Sequence, residues 1–259
     1  VTNGSTVFLI QRVFSVTQLV VRWPATQTAA RISQMRSLDE LIEYDDPRWP
    51  DVRRWMAEAT NGVSVFPPVE STRADALLAT QVTTRSPMGA IIYESGGMLV
   101  DHGWLRILGG GCNAFTRSLP QWNRDCGLMT ENSPPPFLLV ADDVAGGFFA
   151  VNGGSLGNDA GNLYYFAPDT LDWEPLDMGY TDFIHWAFSG DLQSFYADFR
   201  WTDWVSEIAD MSPDRTISFY PFLWTEADNL DSRHRGSVPV LEAFSLQVDM
   251  ARQLNGRPT

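Results

Sequence analysis

Three apolar runs separated by turn residues fill residues 134–176, whose sequence is PPPFLLVADDVAGGFFAVNGGSLGNDAGNLYYFAPDTLDWEPL. Residues 137–140, 147–151 and 163–166 are short, rich in apolar and aromatic side chains, and bounded by Asp, Asn and Gly. Short runs of this kind between tight turns are typical of successive strands. The stretch therefore predicts a central, mostly antiparallel sheet around which the rest of the chain is organised.

The charge of the chain limits the chemistry that it can perform. It has 32 acidic residues against 18 basic ones, a formal net charge of −14, and every basic residue is Arg. Without Lys, the chain has no P-loop lysine, no pyridoxal Schiff base and no lysine nucleophile. Nucleic acids and anionic membranes are held mainly by clustered cations. We therefore expect neither as a partner, and a basic protein suits the acidic surface better.

Size and composition predict one large core. The 259 residues are 44% hydrophobic and include ten Trp and fifteen Phe, and a chain of this size buries roughly 70–75% of its unfolded surface. No apolar run reaches the roughly 18 residues that a membrane span requires. Cys112 and Cys126 lie close enough in sequence to pair, but two thiols fit a reducing cytosol equally well. We predict free thiols and a cytoplasmic location.

The N-terminal segment, 1–34, differs from everything that follows. It contains three Arg, no acid and no clear helix or strand period. An Arg-rich, acid-poor start is typical of a transit peptide, whereas Val1 fits a GTG start codon translated as valine. We expect residues 1–34 to be a mis-annotated or disordered extension, and residues 35–259 to form a single domain that begins at Met35.

The sequence on either side of the central sheet predicts helices. Ser37 and Glu40 form a capping box for a first helix, and an apolar stripe at helical spacing follows Pro239 near the C-terminus. Between them, residues 90–94 and 98–100 flank a Ser-Gly-Gly turn, which we interpret as a β-hairpin. The predicted fold class is α+β, with a mostly antiparallel central sheet and helices at the N-terminus and C-terminus.

One motif raises the possibility of hydrolysis. Residues 153–157 match the G-x-S-x-G pattern, in which a Ser between a strand and a helix projects its hydroxyl over a sheet. A small serine-type hydrolase would use Ser155, or His102 as a general base, with His185 able to complete a triad. The residues after the motif predict another strand, so a Gly-rich hairpin loop is the alternative. We favour the loop and assign no catalytic residue.

A second group of candidate residues surrounds His102. Alternation along a strand places Trp104 and Arg106 on one face, where stacking of Arg on Trp is common. The group is able to orient a general base, to form a hydrogen-bond network at a sheet edge, or to line a small-ligand pocket with the turn at Asn152. The candidate binding residues are Asp101, His102, Trp104, Arg106, Asn152, Gly153 and Gly154.

Metal and cofactor patterns are weak. The three histidines lie far apart in the sequence, no H-E-x-x-H occurs, and the two cysteines are not followed by a second pair. Gly109-Gly110-Gly111 lacks the spacing and the acidic partner of a dinucleotide site. We expect no metal and no cofactor.

Five segments of the chain carry a family resemblance: MRSLDELI at 35–42, QVTTRSPMGA at 81–90, GMLVDHGWLRILG at 97–109, FYPFLW at 219–224 and DMARQL at 249–254. They resemble an uncharacterised bacterial family, domain of unknown function 2625. The resemblance covers nearly everything from Met35 onwards and implies no activity.

A looser resemblance links the order of short motifs to the SUKH superfamily. Leu119-Pro120, residues 142–151, Tyr164-Tyr165-Phe166 and residues 183–186 follow its sequence of elements. This likeness implies an α+β fold and an immunity-type protein that binds a toxin. Our hypothesis is a non-catalytic protein-binding module, with the serine hydrolase and the small-ligand-binding domain as alternatives.

Overall fold

The structure is a computed structural model that describes residues 35–130, 133–226 and 229–255. The predicted N-terminal extension, residues 1–34, lies outside the described residues. The elements in chain order are α1 Leu38–Leu41, α2 Trp49–Ala57, β1 Val63–Phe66, α3 Glu70–Thr80, α4 Pro87–Glu94, β2 Gly97–Val100, β3 Leu105–Leu108, α5 Leu119–Asp125, β4 Phe137–Asp143, β5 Phe148–Asn152, β6 Asn162–Ala167, β7 Asp172–Gly179, α6 Tyr180–Ser189, α7 Leu192–Phe195, α8 Trp204–Ile208, β8 Arg215–Tyr220, β9 His234–Pro239 and α9 Val240–Asn255, with a 3₁₀ turn at Leu230–Ser232.

The central sheet confirms the predicted α+β class. Strands β1 to β7 lie side by side in chain order, and every neighbouring pair is antiparallel. The apolar runs of residues 134–176 form β4, β5 and β6, and the end of that stretch begins β7, which has no further strand beside it among the described residues. Strands β8 and β9 make a separate antiparallel hairpin.

Both faces of the sheet are covered, and this explains the aromatic richness. Successive strand residues point to opposite faces, so Phe148 and Phe149 lie on opposite faces of the sheet. The Phe148 ring packs on Trp122 of α5 and Phe244 of α9, at centroid distances of 6.5 and 4.9 Å. The Phe149 ring packs on Phe183 of α6 at 5.0 Å. Helices therefore bury the middle strands from both sides.

The capping prediction for α1 is confirmed. The backbone N–H of Ser37 donates to the carboxylate of Glu40 at 2.7 Å, which satisfies a donor that the first helical turn cannot.

The predicted hairpin over residues 90–100 is wrong in its first half. Residues 87–94 form α4 instead of a strand, and only β2 matches the prediction. The helix begins because Ser86 caps it, accepting a hydrogen bond from the N–H of Gly89 at 3.1 Å, and because Pro87 occupies its first turn. Residues 89–92 are buried, and a short apolar run buried on several sides shows no period that separates helix from strand.

Candidate functional site

A buried charge network, centred on Asp142, occupies one face of the sheet. Arg106 of β3 and Asp142 of β4 are direct cross-strand partners, and the Arg106 Nε donates to the Asp142 Oδ1 at 2.5 Å. Arg117 donates to the other carboxylate oxygen of Asp142, and it also donates to Asp214 at 3.1 Å. Asp142 thus pairs with two guanidinium groups, and Asp214 is a second carboxylate partner of Arg117, in an interior where unpaired charges are strongly disfavoured.

The same arginines connect the sheet to β8 and to the residues just before it. Arg106 donates to the carbonyl oxygen of Arg215 at 2.7 Å, and Arg117 donates to that of Pro213 at 2.7 Å. The side chain of Thr216 adds a hydrogen bond to the Val144 carbonyl at 2.7 Å. Because every one of these contacts joins distant parts of the chain, the network holds the β8–β9 hairpin against the sheet.

Asp143, the next residue, points to the opposite face. Its carboxylate accepts hydrogen bonds from the Gly147 N–H and the Tyr165 hydroxyl, both at 2.8 Å. Burial raises the pKa of the Asp143 carboxyl, because the charged form is removed from water. A Cβ at Gly147 would stand 2.1 Å from the Tyr165 hydroxyl oxygen, so the turn requires glycine to close over the carboxylate.

The predicted site around His102 is a tight turn against an aromatic cluster. Asp101, His102 and Gly103 have φ values of 51°, 58° and 88°, a left-handed run that is unusual for residues with side chains. Trp104 is fully buried, whereas His102 is exposed, with its ring centroid 6.0 Å from that of Trp204. A cavity of about 30 Å³ lies between His102 and Arg106, which is room for water rather than a substrate.

The predicted stacking of Arg106 on Trp104 is corrected by the structure. The guanidinium over the Trp104 ring is that of Arg200, at 5.0 Å from the ring centroid, and it also lies 4.4 Å from Trp204. Arg200 pairs with the Asp101 carboxylate. Arg106 is instead bound by Asp142. Arg106 therefore pairs with Asp142, its cross-strand partner, and not with Trp104, its neighbour by alternation along the strand.

Replacement of Arg200 is expected to loosen this turn. Arg200→Leu should lower the free energy of unfolding by about 2 kcal/mol, because it removes the cation–π contacts and leaves Asp101 unpaired. Arg200→Lys should cost about 1 kcal/mol, since an ammonium retains the charge but not the planar stacking. Chemical denaturation measures both. The exposed Arg53 provides the control, and equal losses for Arg53→Leu and Arg200→Leu would contradict the assignment.

The G-x-S-x-G segment forms a loop between two paired strands. Residues 153–157 connect β5 to β6, which pair antiparallel, so the Ser is not followed by a helix. The Ser155 hydroxyl donates to the Pro136 carbonyl at 2.9 Å. Asn152 organises the loop, because its side-chain oxygen accepts from the Gly154 N–H at 2.7 Å and its amide donates to the Gly157 carbonyl. These contacts match the alternative of a hairpin loop.

The candidate residues fall into separate places. His185, on α6, packs its ring 4.2 Å from the Trp55 ring, while His102 lies against Trp204 and Ser155 binds Pro136. The hydrogen bonds and ring contacts of the described residues do not join the 101–106 group to the 152–154 turn. The sequence therefore grouped residues that the fold keeps apart.

Several classes of feature are missing from the part of the chain that the structure describes. Residues 35–130, 133–226 and 229–255 contain no set of three His, Cys, Asp or Glu placed to hold a metal ion. Among the same residues, no helix is long and apolar enough to cross a bilayer.

Cys112 and Cys126 are free thiols, as predicted. Burial raises the pKa of Cys126 to about 12.

The position of the acidic surface on the fold is what the sequence reasoning missed. From Asp125 to Phe199 the chain has twelve acids and not one Arg or Lys. Asp142 and Asp143 are buried. Five others are exposed along the edge of the sheet, from the β6–β7 turn to the first turn of α6; we call these the acidic edge: Asp169, Asp172, Glu174, Asp177 and Asp182. Counting charges by segment rather than over the whole chain would have revealed the cation-free stretch.

The backbone of β7 is irregular along this edge. The pairing of β6 with β7 shifts register between Asn162 and Tyr164, and Asp177 has a φ of 52° in the extra residues. Such a bulge bends the strand and interrupts the regular spacing of its backbone N–H and C=O groups. Trp173 is half-buried beside the carboxylates, with its ring 5.0 Å from Phe137 and 5.2 Å from Phe166. The edge therefore combines exposed negative charge with a fixed aromatic side chain.

Comparison with known proteins places the chain in a family. The model of a family described as "Protein of unknown function DUF2625" matches residues 38–243. The chain belongs to DUF2625. It is 42% identical over 216 residues to the "Putative uncharacterized protein YbfG" of Escherichia coli K12, an alignment covering 83% of this chain and 97% of YbfG. It is 39% identical over 189 residues to an "Uncharacterized protein" of Haemophilus influenzae, covering 73% of this chain and 83% of that protein.

The predicted family is thereby confirmed. The DUF2625 match includes the buried charge network and the acidic edge, and it begins beyond the N-terminal segment that the sequence analysis set apart. No solved structure matches the chain. The function of this DUF2625 protein therefore has to be argued from its own surface.

Proposed function

We propose that this DUF2625 protein is a non-catalytic protein-binding module that engages a basic partner through its acidic edge. The observation that carries the proposal is the run of five exposed carboxylates along β7 and the start of α6, within the cation-free stretch from Asp125 to Phe199. Opposite charges attract over roughly a Debye length of 8–10 Å. A concentrated acidic edge therefore speeds and orients the approach of a basic surface.

The distribution of the arginines strengthens this field. Three arginines are buried, at positions 106, 117 and 233, whereas among the described acids only Asp142 and Asp143 are buried. More positive than negative charges are therefore buried among the described residues. The solvent-facing part of the described chain is more acidic than the composition alone indicates.

The edge also offers an apolar contact. Trp173, Leu176 and Met178 of β7 are each half-buried between the exposed acids. Protein interfaces commonly surround an apolar or aromatic centre with polar residues. A partner that carries cations around an apolar patch would complement both features.

The likeness of motif order to the SUKH superfamily supports an immunity-like role. In this role the partner is a basic toxin whose activity stops when the module covers its surface. The module then acts in the cytoplasm, where its two free thiols remain reduced.

The hydrolase alternative receives less support from the geometry. Ser155 is bound to a backbone carbonyl in a hairpin loop, and His102 and His185 each lie against a Trp ring. A nucleophile needs a base within hydrogen-bond reach, and the contacts of these three side chains are made elsewhere.

Capture of the partner tests the proposal. The full chain is immobilised and exposed to lysate of its native cells at low and moderate salt, and bound proteins are identified by mass spectrometry. We expect one basic protein in stoichiometric amount, released as salt rises because the attraction is screened. A triple variant, Asp169→Asn with Glu174→Gln and Asp177→Asn, should fail to retain it.

The matched control changes the same charge elsewhere. Asp45→Asn with Glu58→Gln and Asp210→Asn removes three exposed acids outside the acidic edge and should retain the partner. Retention by the edge variant, or equal loss in both variants, would refute the proposal. For the immunity-like role, expression of the partner alone should arrest growth, and co-expression of the natural chain, but not of the edge variant, should restore it.

A further inference from the structure

A cleft separate from the acidic edge lies between two helices and a glycine-containing loop. It has a volume of about 590 Å³, with α3 on one side, the segment from Gly110 to Thr116 as its floor, and α5 on the other side. Helices α3 and α5 contact each other, so the walls belong to one packed unit. Small-molecule sites typically have volumes of about 300 to about 1000 Å³, and the cleft falls within this range.

Two glycines allow the loop that forms the floor of the cleft to lie close to its neighbours. A Cβ at Gly110 would stand 2.6 Å from the Ile92 carbonyl oxygen, and Gly111 has a φ of 82° with Ser118 atoms beside it. The loop therefore lies flat against the end of α4 and the beginning of α5. A larger residue at either position would push the loop into the cleft.

Apart from the uncharged Cys112 and Asn113, the polar side chains of the cleft divide into two sets. Four are engaged within the protein: Thr72 with the Val69 carbonyl, Thr116 with Asp214, Ser118 with the Gln121 N–H, and Gln121 with Asp125. Asp75 on α3 and Arg124 on α5 are exposed and make no side-chain hydrogen bond or ion pair with the described residues. Within the described part of the chain, the cleft thus presents one free anion and one free cation from different walls.

These two charges restrict the ligand. A purely anionic ligand drawn to Arg124 would be repelled by Asp75, and a purely cationic one would be repelled by Arg124. A molecule with both charges satisfies both side chains, and Val69, Ala76 and Pro120 offer contact to an apolar body. We propose that this cleft binds a small zwitterion of the amino-acid class with an apolar side chain.

The proposal is independent of the acidic edge and has its own test. The full chain is titrated with L-leucine, L-methionine and L-phenylalanine, and binding is followed by ligand-observed NMR. We expect at least one to bind more tightly than about 1 mM, and its N-acetyl and amide derivatives to bind about 10- to 100-fold more weakly, since each lacks one charge. Arg124→Gln and Asp75→Asn should each weaken the amino acid to a similar extent.

Cys112 supplies a second readout, because it lines the cleft. A bound amino acid should slow the alkylation of Cys112 by iodoacetamide and leave the alkylation rate of Cys126, which does not line the cleft, unchanged. Arg53→Gln and Asp210→Asn, exposed and outside the cleft, are the matched controls. Absence of binding by all three amino acids, or equal effects of the cleft and control variants, would overturn the proposal.

Discussion

Replacement of Asp142 with Asn is expected to lower the free energy of unfolding by about 3–5 kcal/mol. Asp142 is fully buried and pairs with Arg106 and Arg117, which are 1% and 8% exposed. The amide keeps the shape of the side chain but leaves the buried Arg106 guanidinium without its carboxylate partner and Arg117 with Asp214 alone. Denaturant unfolding of the natural chain and the variant at neutral pH measures the difference.

Asp143→Asn is the matched control, one residue away and equally buried. The amide oxygen can still accept from the Gly147 N–H and the amide nitrogen can donate to the Tyr165 oxygen, so the cost should stay within about 1 kcal/mol. A loss for Asp142→Asn no larger than that for Asp143→Asn would show that the two arginines do not depend on Asp142.

The pH dependence of stability tests the burial of the Asp143 carboxyl. Burial raises the pKa of Asp143 above its ordinary value of 3.8, so the folded state holds this proton more tightly than the unfolded state does. The contribution of this carboxyl to the free energy of unfolding therefore decreases as the pH rises from 3.8, its ordinary pKa, to its raised pKa in the folded state. Asp143→Asn lacks that loss, so its stability relative to the natural chain should increase with pH across the interval. Constant relative stability would contradict the raised pKa.

Charge reversal at the acidic edge is expected to have the largest effect on partner binding. Asp169→Arg with Glu174→Arg should weaken the affinity of the captured partner by about 100-fold, equivalent to about 2.7 kcal/mol. Both side chains are exposed, so the change replaces attraction with repulsion and leaves the core untouched. Calorimetric titration at two salt concentrations measures it, and the difference should shrink at high salt.

Glu58→Arg with Asp210→Arg is the control for this reversal. It makes the same change in net charge at exposed positions outside the edge, so a general effect of net charge would appear in both variants. Equal loss of affinity in the edge variant and the control variant would show that the net charge of the whole surface attracts the partner. Unchanged affinity in both variants would show that binding does not depend on these charges. The thermal stability of each variant verifies that it is folded.

The sheet was predictable from the sequence because its signal is local. Each strand between Phe137 and Ala167 is an apolar run that ends in turn residues, and hairpin-connected strands pair in chain order. Helix α4 was not predictable in this way. Its residues 90–94 have the branched and aromatic composition of a strand, and the cap at Ser86 and the burial of the run decided its conformation.

The site was harder to predict because its contacts are distant in sequence. Arg106 and Asp142 are 36 residues apart, and only the register of β3 against β4 brings them together. Alternation along the strand predicted that Arg106 stacks on Trp104, whereas in the structure the guanidinium over the Trp104 ring is that of Arg200. The acidic edge, by contrast, was visible in the absence of cations from 125 to 199, but its location on an edge strand required the sheet order.

Hydrogen–deuterium exchange of the full chain, alone and saturated with the captured partner, tests the central claim most directly. Amides on a free strand edge exchange readily, and a partner bound there slows them. We predict slowed exchange concentrated in residues 169–182, which contain the acidic edge. Slowed exchange confined to other parts of the chain, with residues 169–182 unchanged, would contradict the claim that this edge is the binding surface.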